Sequence, residues 1–255
     1  MADTNFITAE KIKGIIENQI IDNKDFVSTK KFKTYDFSYE KLLKIFENLK
    51  SDQKDKQALE NWLIGGSSII YSWMPTILHF SKTSYDEKNP ENANDHSKKA
   101  LEDCTKALEE CTKALKFIKK EIAGDFVKLL NNPEFYTKDE ECHINTLTSF
   151  INNSIVGTSK FLHFSFPDHF PIWDSRVERA TRFIKKDGTP ELIKDVKKND
   201  YQTNKVDNYI AYCKAVYDVR KDTNFLNDLD IKLGKIKKFK PIRKIENALF
   251  IIGGK

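Results

Sequence analysis

Apolar residues recur along most of this chain at spacings of three and four, the period of helices that bury one face. Ile12, Ile15, Ile16 and Ile20 form one such stripe, and Thr8 is placed to cap a helix running to about Ile20. A second stripe, Leu42, Leu43, Ile45, Phe46 and Leu49, follows Ser38 as its opening residue. Lys56 to Phe80 contains WLIGGSSIIYSWMPTIL, apolar on nearly every side, which predicts a buried helix. Gly65-Gly66 reads as a break within it and Pro75 as an end. Residues 81–96 are polar and irregular and read as an exposed loop. Further helices are predicted over Asp125 to Leu130, Asp139 to Asn152, Ser159 to Phe166, Ser175 to Lys186, Lys205 to Val219 and Ile242 to Ile251. No sustained period-two pattern bounded by hairpin turns occurs, so the expected fold is all-α.

An internal repeat starts at Lys99, with Lys-Ala-Leu-Glu-Asp-Cys-Thr105 followed by Lys106-Ala-Leu-Glu-Glu-Cys-Thr112 and Lys113-Ala-Leu115. Leu101, Cys104, Leu108, Cys111, Leu115, Ile118 and Ile122 alternate at spacings of three and four, a short heptad seam. Such a seam serves either a long helix docked on its own protein or a dimer contact, and so short a coil holds two chains weakly.

Composition narrows the class. With 255 residues, 39% hydrophobic content and 18 Phe, the chain has the material for one large domain or two lobes sharing a core. Only nine Gly and seven Pro are present, which suits helices with short connections. The net charge of +5 permits a polyanionic partner without requiring one. Its distribution is more pointed: Lys232 to Lys244 carries seven Lys or Arg and no acid, and Lys160 to Lys186 carries six bases against three acids. Either run is also what a solvated helix face looks like. The four cysteines, 104, 111, 142 and 213, make no CxxC pair. The start, MADTNFITAEKIKG, lacks the apolar core of a signal peptide, and no stretch nears the ~20 apolar residues that span a bilayer. The expectation is a soluble, cytoplasmic protein.

One segment stands apart, Ile155-Val-Gly-Thr-Ser-Lys-Phe-Leu-His-Phe-Ser-Phe-Pro-Asp-His-Phe-Pro-Ile-Trp-Asp174-Ser-Arg-Val-Glu-Arg179. Gly157 is placed to let the chain turn tightly and to present backbone N–H groups at a helix start, an arrangement that suits phosphate. The apolar lead-in Phe170-Pro-Ile-Trp then delivers Asp174 to the N-cap of the next helix.

This segment resembles the active-site segment of the helix-hairpin-helix DNA glycosylase superfamily, in which a Val-Gly hairpin opens a helix and an apolar, Pro-containing lead-in places an invariant Asp at the next helix start. Val156-Gly157, Phe170-Pro171-Ile172 and Asp174-Ser-Arg-Val177 carry the resemblance, which is close over roughly residues 150–185. Elsewhere it rests on helix order, with a buried Trp62 to Leu78 segment upstream and a C-terminal helix carrying Arg243 and Glu246. Family hairpins usually read Leu-Pro-Gly-Val-Gly, where this chain has Asn153-Ser-Ile-Val-Gly157. Strand-cutting members place a Lys two residues after the last hairpin Gly. Here that position is Ser159, and Lys160 points about 100° further round an ideal helix, so no Schiff base is expected. Iron–sulfur members carry four closely spaced Cys after this region. Cys104 and Cys111 precede it within the heptad seam, and no cluster, metal or other cofactor is expected.

The resemblance implies a two-lobed helical fold, lobe one being about 1–61 with 205–255 and lobe two about 62–204 with a helical insertion at 97–123. It implies a monofunctional DNA glycosylase acting as a monomer on duplex DNA with an extruded base. Asp174 would stabilise the oxocarbenium-like sugar and activate water. An Asp is also what a helix N-terminus selects for capping alone. An extruded base needs aromatic, apolar and polar walls, for which Ser67, Ser68, Tyr71, Trp73, His163 and Trp173 are candidates. Trp62 is another, and His169 flanks the site; such tryptophans and tyrosines more often belong to a core, and a lone His is more often simply hydrogen-bonded. Gly157, Thr158, Ser159, Lys160, Arg176 and Arg179 are the candidate DNA contacts. Two other readings remain: an enzyme that modifies hypermodified pyrimidines in viral DNA, and an inert DNA-binding module. Repair of host DNA and phage defence are equally open.

Overall fold

A computed structural model of the chain describes residues 7–19, 30–51, 56–72, 93–137, 142–182, 205–233 and 239–254. Among these residues every regular element is an α-helix. They are α1 (Ala9–Gln19), α2 (Lys30–Ser51), α3 (Lys56–Ser72), α4 (Ala93–Ile122), α5 (Phe126–Leu130), α6 (His143–Phe150), α7 (Ile155–Ser165), α8 (Ser175–Arg182), α9 (Val206–Val219), α10 (Thr223–Leu233) and α11 (Pro241–Ile252). None of them is long and apolar enough to cross a membrane. The chain divides into two compact units, residues 1–45 with 162–255 and residues 46–161, whereas the expected lobes had their cuts at 62 and 205.

In the first unit α11 is the central element and packs against α8, α10, α1 and α9. Pro241 starts this helix, at a position where a missing N–H costs nothing. Its apolar residues Ile242, Ile245, Ala248, Leu249, Ile251 and Ile252 are buried all round, and so are Arg243, Glu246 and Asn247. α1 contributes Ile12, Ile15 and Ile16, and the Lys11 N–H bonds to Thr8 Oγ1 at 3.2 Å, the cap read from sequence. α10 was not anticipated. It buries Phe225, Leu226, Leu229 and Leu233 and starts behind Asp222, whose Oδ1 accepts from the Phe225 N–H at 3.0 Å.

In the second unit α4 packs against α6, α3 and α5. The heptad seam is used unevenly. Cys111, Leu115 and Ile118 are fully buried, while Cys104 and Leu108 are half-buried. α3 runs unbroken through Gly65-Gly66, contrary to the break expected there. A Cβ on Gly66 would lie 3.0 Å from the rings of both Phe46 and Phe161, so close packing, not chain reversal, accounts for that glycine. Nor is α3 buried all round, since Asn61, Ile64 and Ser68 are exposed. α2 begins at Lys30, ahead of the Ser38 start read from sequence. Pro75 and the loop at 81–92 lie outside the described residues, and 93–96 belong to α4.

Candidate active site

Asp174 belongs to the first unit and caps α8. Its Oδ1 accepts from the N–H groups of both Arg176 and Val177 at 2.9 Å, and its carbonyl accepts from the Glu178 N–H at 2.8 Å. The Oδ2 atom makes no hydrogen bond among the described residues. The lead-in is apolar and closed: Phe170, Pro171, Ile172 and Trp173 are buried, whereas Asp174 is half-exposed. One carboxylate oxygen is thus fixed by two backbone dipoles while the other is left without a hydrogen bond among the described residues. That arrangement holds a negative charge in place without neutralising it.

Behind the lead-in lies a buried polar group. The His163 ring faces the Phe170 carbonyl through Nδ1 at 2.7 Å and the Tyr39 hydroxyl through Nε2 at 2.9 Å. A carbonyl only accepts, so Nδ1 carries the proton and Nε2 accepts from Tyr39. Burial, reinforced by the nearby Arg243 charge, lowers the His163 pKa to about 3 and keeps the ring neutral. Glu246 Oε1 pairs with Arg243, whose guanidinium also lies 4.1 Å from the Tyr39 ring centroid. Glu246 Oε2 accepts from the Ile172 N–H at 3.1 Å. His163 was a candidate base contact; the structure places it at 0% exposure with both ring nitrogens engaged.

Trp173 is equally buried, its ring 5.1 Å from that of Tyr212. The Tyr212 hydroxyl has no hydrogen-bond partner among the described residues. Burial holds its pKa well above the usual tyrosine range, with Cys213 and the Asp174 carboxylate adding to the effect. Tyr212 therefore keeps its proton.

Arg176 and Arg179, expected to face DNA, both reach the end of α11. Arg179 Nη1 donates to the Gly253 carbonyl at 2.9 Å, and the Arg176 guanidinium lies 4.5 Å from the Phe250 ring centroid. The two helices meet so closely here that a Cβ on Gly253 would fall 1.8 Å from the Arg176 carbonyl oxygen. The basic run read at 232–244 is partly neutralised in the same unit. Lys240 pairs with Asp168 at 2.6 Å, Lys244 with Asp230 at 2.6 Å, and Arg243 with Glu246.

The remaining candidates lie in the second unit, apart from Trp73, which lies outside the described residues. The turn expected at Gly157 is made instead by Asn152 and Asn153, with φ of 59° and 50°. Asn tolerates that left-handed conformation better than most residues. Ser154 then caps α7, its Oγ accepting from the Gly157 N–H at 3.2 Å. Gly157 sits in the first helical turn, where a Cβ would meet the Tyr71 hydroxyl at 2.6 Å, so its role is to admit that ring. Tyr71 donates to the Ile151 carbonyl at 3.3 Å, and burial raises its pKa. Thr158 and Ser159 are buried, their hydroxyls bonded to Ser154 O and Val156 O at 2.9 Å, so neither faces solvent; Lys160 is half-buried. Ser67 is buried with its hydroxyl unpartnered among the described residues, whereas exposed Ser68 bonds to Ile64 O at 2.8 Å. Trp62 is core, its ring 5.7 Å from Phe161.

Sequence reading missed Tyr39, Tyr212 and the inward use of Arg243 and Glu246. For the last pair the signal was present, because Arg243 and Glu246 stand three residues apart on one side of a mostly apolar helix. Comparison of the chain with protein-family models, with curated proteins and with solved structures finds no match.

Proposed function

We propose that this chain is a monofunctional DNA glycosylase that hydrolyses the N-glycosidic bond of a damaged or modified base extruded from duplex DNA. The observation that carries the reading is the Asp174 carboxylate, with Oδ1 fixed by the Arg176 and Val177 amides, Oδ2 unengaged among the described residues, and a buried apolar lead-in behind it.

Departure of a base leaves positive charge on the sugar, and the group that helps most is an anion already in place before that charge forms. Asp174 meets this requirement, because its two helix-capping bonds restrain it before the reaction begins. The same carboxylate is a hydrogen-bond acceptor for the attacking water, which adds to the sugar carbon as the base leaves with the bonding electron pair. The proton released by that water passes through Asp174 to solvent or to the departing base. Every group this step uses belongs to the protein, the DNA or water. Support for DNA as partner comes from the likeness of the 150–185 segment to helix-hairpin-helix glycosylases. Arg176, half-exposed two residues beyond Asp174, is the first choice for a phosphate contact.

The test compares the protein with its Asp174→Asn variant on duplexes carrying damaged bases, uracil or phage-type modified bases, with released bases identified by mass spectrometry. Asn caps a helix nearly as well as Asp, so melting and DNA affinity should hold while single-turnover release slows by about a hundredfold or more. Full activity in the variant refutes the mechanism. Base modification with an intact glycosidic bond, or binding without turnover, replaces this reading with one of its two rivals.

A further inference from the structure

The segment from Phe170 to Trp173 has no regular secondary structure, yet it must present Asp174 at a fixed place. Apolar packing alone serves this poorly. Burial of Phe170, Ile172 and Trp173 favours a closed interior, but such contacts are non-directional and leave the segment free to slide or twist. Direction comes from hydrogen bonds. The Phe170 carbonyl meets His163 Nδ1 at 2.7 Å, and the Ile172 N–H meets Glu246 Oε2 at 3.1 Å. Those two side-chain atoms lie 3.7 Å apart. In a β-strand the carbonyl of one residue and the amide of the second residue on share an edge, where a neighbouring strand offers a donor and an acceptor side by side. His163 and Glu246 offer the same pair from two different helices, α7 and α11.

We propose that His163 and Glu246 together replace a neighbouring strand for the lead-in, and that they are positioning residues for Asp174. Each is itself held from behind. The Tyr39 hydroxyl donates to His163 Nε2, which fixes the tautomer whose Nδ1–H faces Phe170. Arg243 binds the other carboxylate oxygen of Glu246 and lies over the Tyr39 ring, joining the two arms. The catalytic part of this proposal rests on the glycosylase reading of Asp174; the positioning part does not.

Removing Glu246 alone would strand the buried Arg243 charge and confuse loss of fold with loss of position. Two double variants avoid this. Arg243→Met with Glu246→Gln removes both charges and keeps an amide oxygen for the Ile172 N–H. Arg243→Met with Glu246→Met removes both charges and the acceptor, while filling similar volume. Amide hydrogen exchange is read at Ile172 and at Arg176 and Val177, whose N–H groups report the Asp174 cap. In the acceptor-free variant all three should lose protection by about tenfold relative to the amide-bearing one, the scale of one buried hydrogen bond. Equal protection at Arg176 and Val177 in the two variants overturns the proposal.

Base release and DNA affinity are measured on the same two proteins. Slower release in the acceptor-free variant at matched affinity supports positioning of a catalytic Asp174, and equal release rates count against it. Should the wild-type protein release no base from any substrate, the glycosylase reading fails, and the exchange pattern alone decides whether the clamp holds Asp174.

Discussion

Protonating His163 should destabilise the first unit in mildly acidic solution. The ring is fully buried, its Nδ1–H is committed to the Phe170 carbonyl, and its Nε2 accepts from Tyr39. A second ring proton would point a donor at the Tyr39 hydroxyl and add positive charge near Arg243 and Lys240. Among the described residues Glu246 is the acid facing the ring, at 3.7 Å, and it already serves Arg243 and the Ile172 N–H. Hence the folded-state pKa of about 3, against 6.5 in the unfolded chain. The unfolded chain binds the proton first, so stability is complete above about pH 6.5 and declines as pH falls toward 3. At ~1.36 kcal/mol per pH unit, the decline reaches roughly 2–3 kcal/mol by pH 4.5 and roughly 4–5 kcal/mol if followed through the whole window.

Urea unfolding at several pH values from 7.5 to 4.5 measures this directly when the protein is compared with a His163→Gln variant. The comparison cancels His143, which burial also biases toward its neutral form and which both proteins share. The wild type should lose about 2–3 kcal/mol more than the variant over that range. Nitrogen NMR of the imidazoles provides a second check, with His163 expected to stay neutral and protonated on Nδ1 at pH 5. Equal pH slopes in the two proteins, or a His163 ring titrating near 6.5, would refute the buried-neutral assignment.

Two further expectations concern glycines. Gly65→Ala places a Cβ no closer than 4.0 Å to the Leu49 side chain and should stabilise α3 by about 0.5–1 kcal/mol, whereas Gly66→Ala drives a Cβ to 3.0 Å from two rings and should cost about 1–3 kcal/mol. Denaturation that gives both variants the same sign would contradict the packing described for α3. Gly253→Ala brings a Cβ against the Arg176 carbonyl and should lower stability by about 3 kcal/mol or more; a melting temperature within a degree of wild type would show that α8 and α11 do not meet this closely.

What the sequence made legible were features carried by neighbouring residues. The stripe Ile12, Ile15, Ile16 and the Thr8 cap of α1 follow from spacing and a single hydroxyl, and Asp174 at the start of α8 follows from its lead-in. The misreadings share a cause, which is that the same residue type serves different ends according to what packs against it. Gly65-Gly66 looks like a break until Phe46 and Phe161 are brought against the helix, and Gly157 looks like a turn until Tyr71 is placed beside it. The true turn, Asn152-Asn153, was less conspicuous because Asn adopts the left-handed conformation only some of the time. α10 was readable in retrospect from Asp222 and the spacing of Phe225, Leu226, Leu229 and Leu233. Within the 232–244 run, charge counting treated Arg243 as it treated Lys240. One is buried against Glu246 and the other pairs at the surface with Asp168, a difference that only the apolar neighbours of α11 reveal.

Four polar side chains of the first unit bind backbone atoms. His163 binds the carbonyl of Phe170, Glu246 the amide of Ile172, Asp174 the amides of Arg176 and Val177, and Arg179 the carbonyl of Gly253. The first three hold backbone between residues 170 and 177, and Arg179 ties the helix that Asp174 caps to the end of α11. An apolar replacement for the Arg243–Glu246 pair would often be as stable or more so, because desolvating two charges costs several kcal/mol. What hydrophobic residues of equal volume lack is direction, since they bind no particular atom of the chain. The hydrogen bonds of His163, Glu246 and Asp174 supply that direction to residues 170–177, the stretch that carries the half-exposed Asp174 carboxylate.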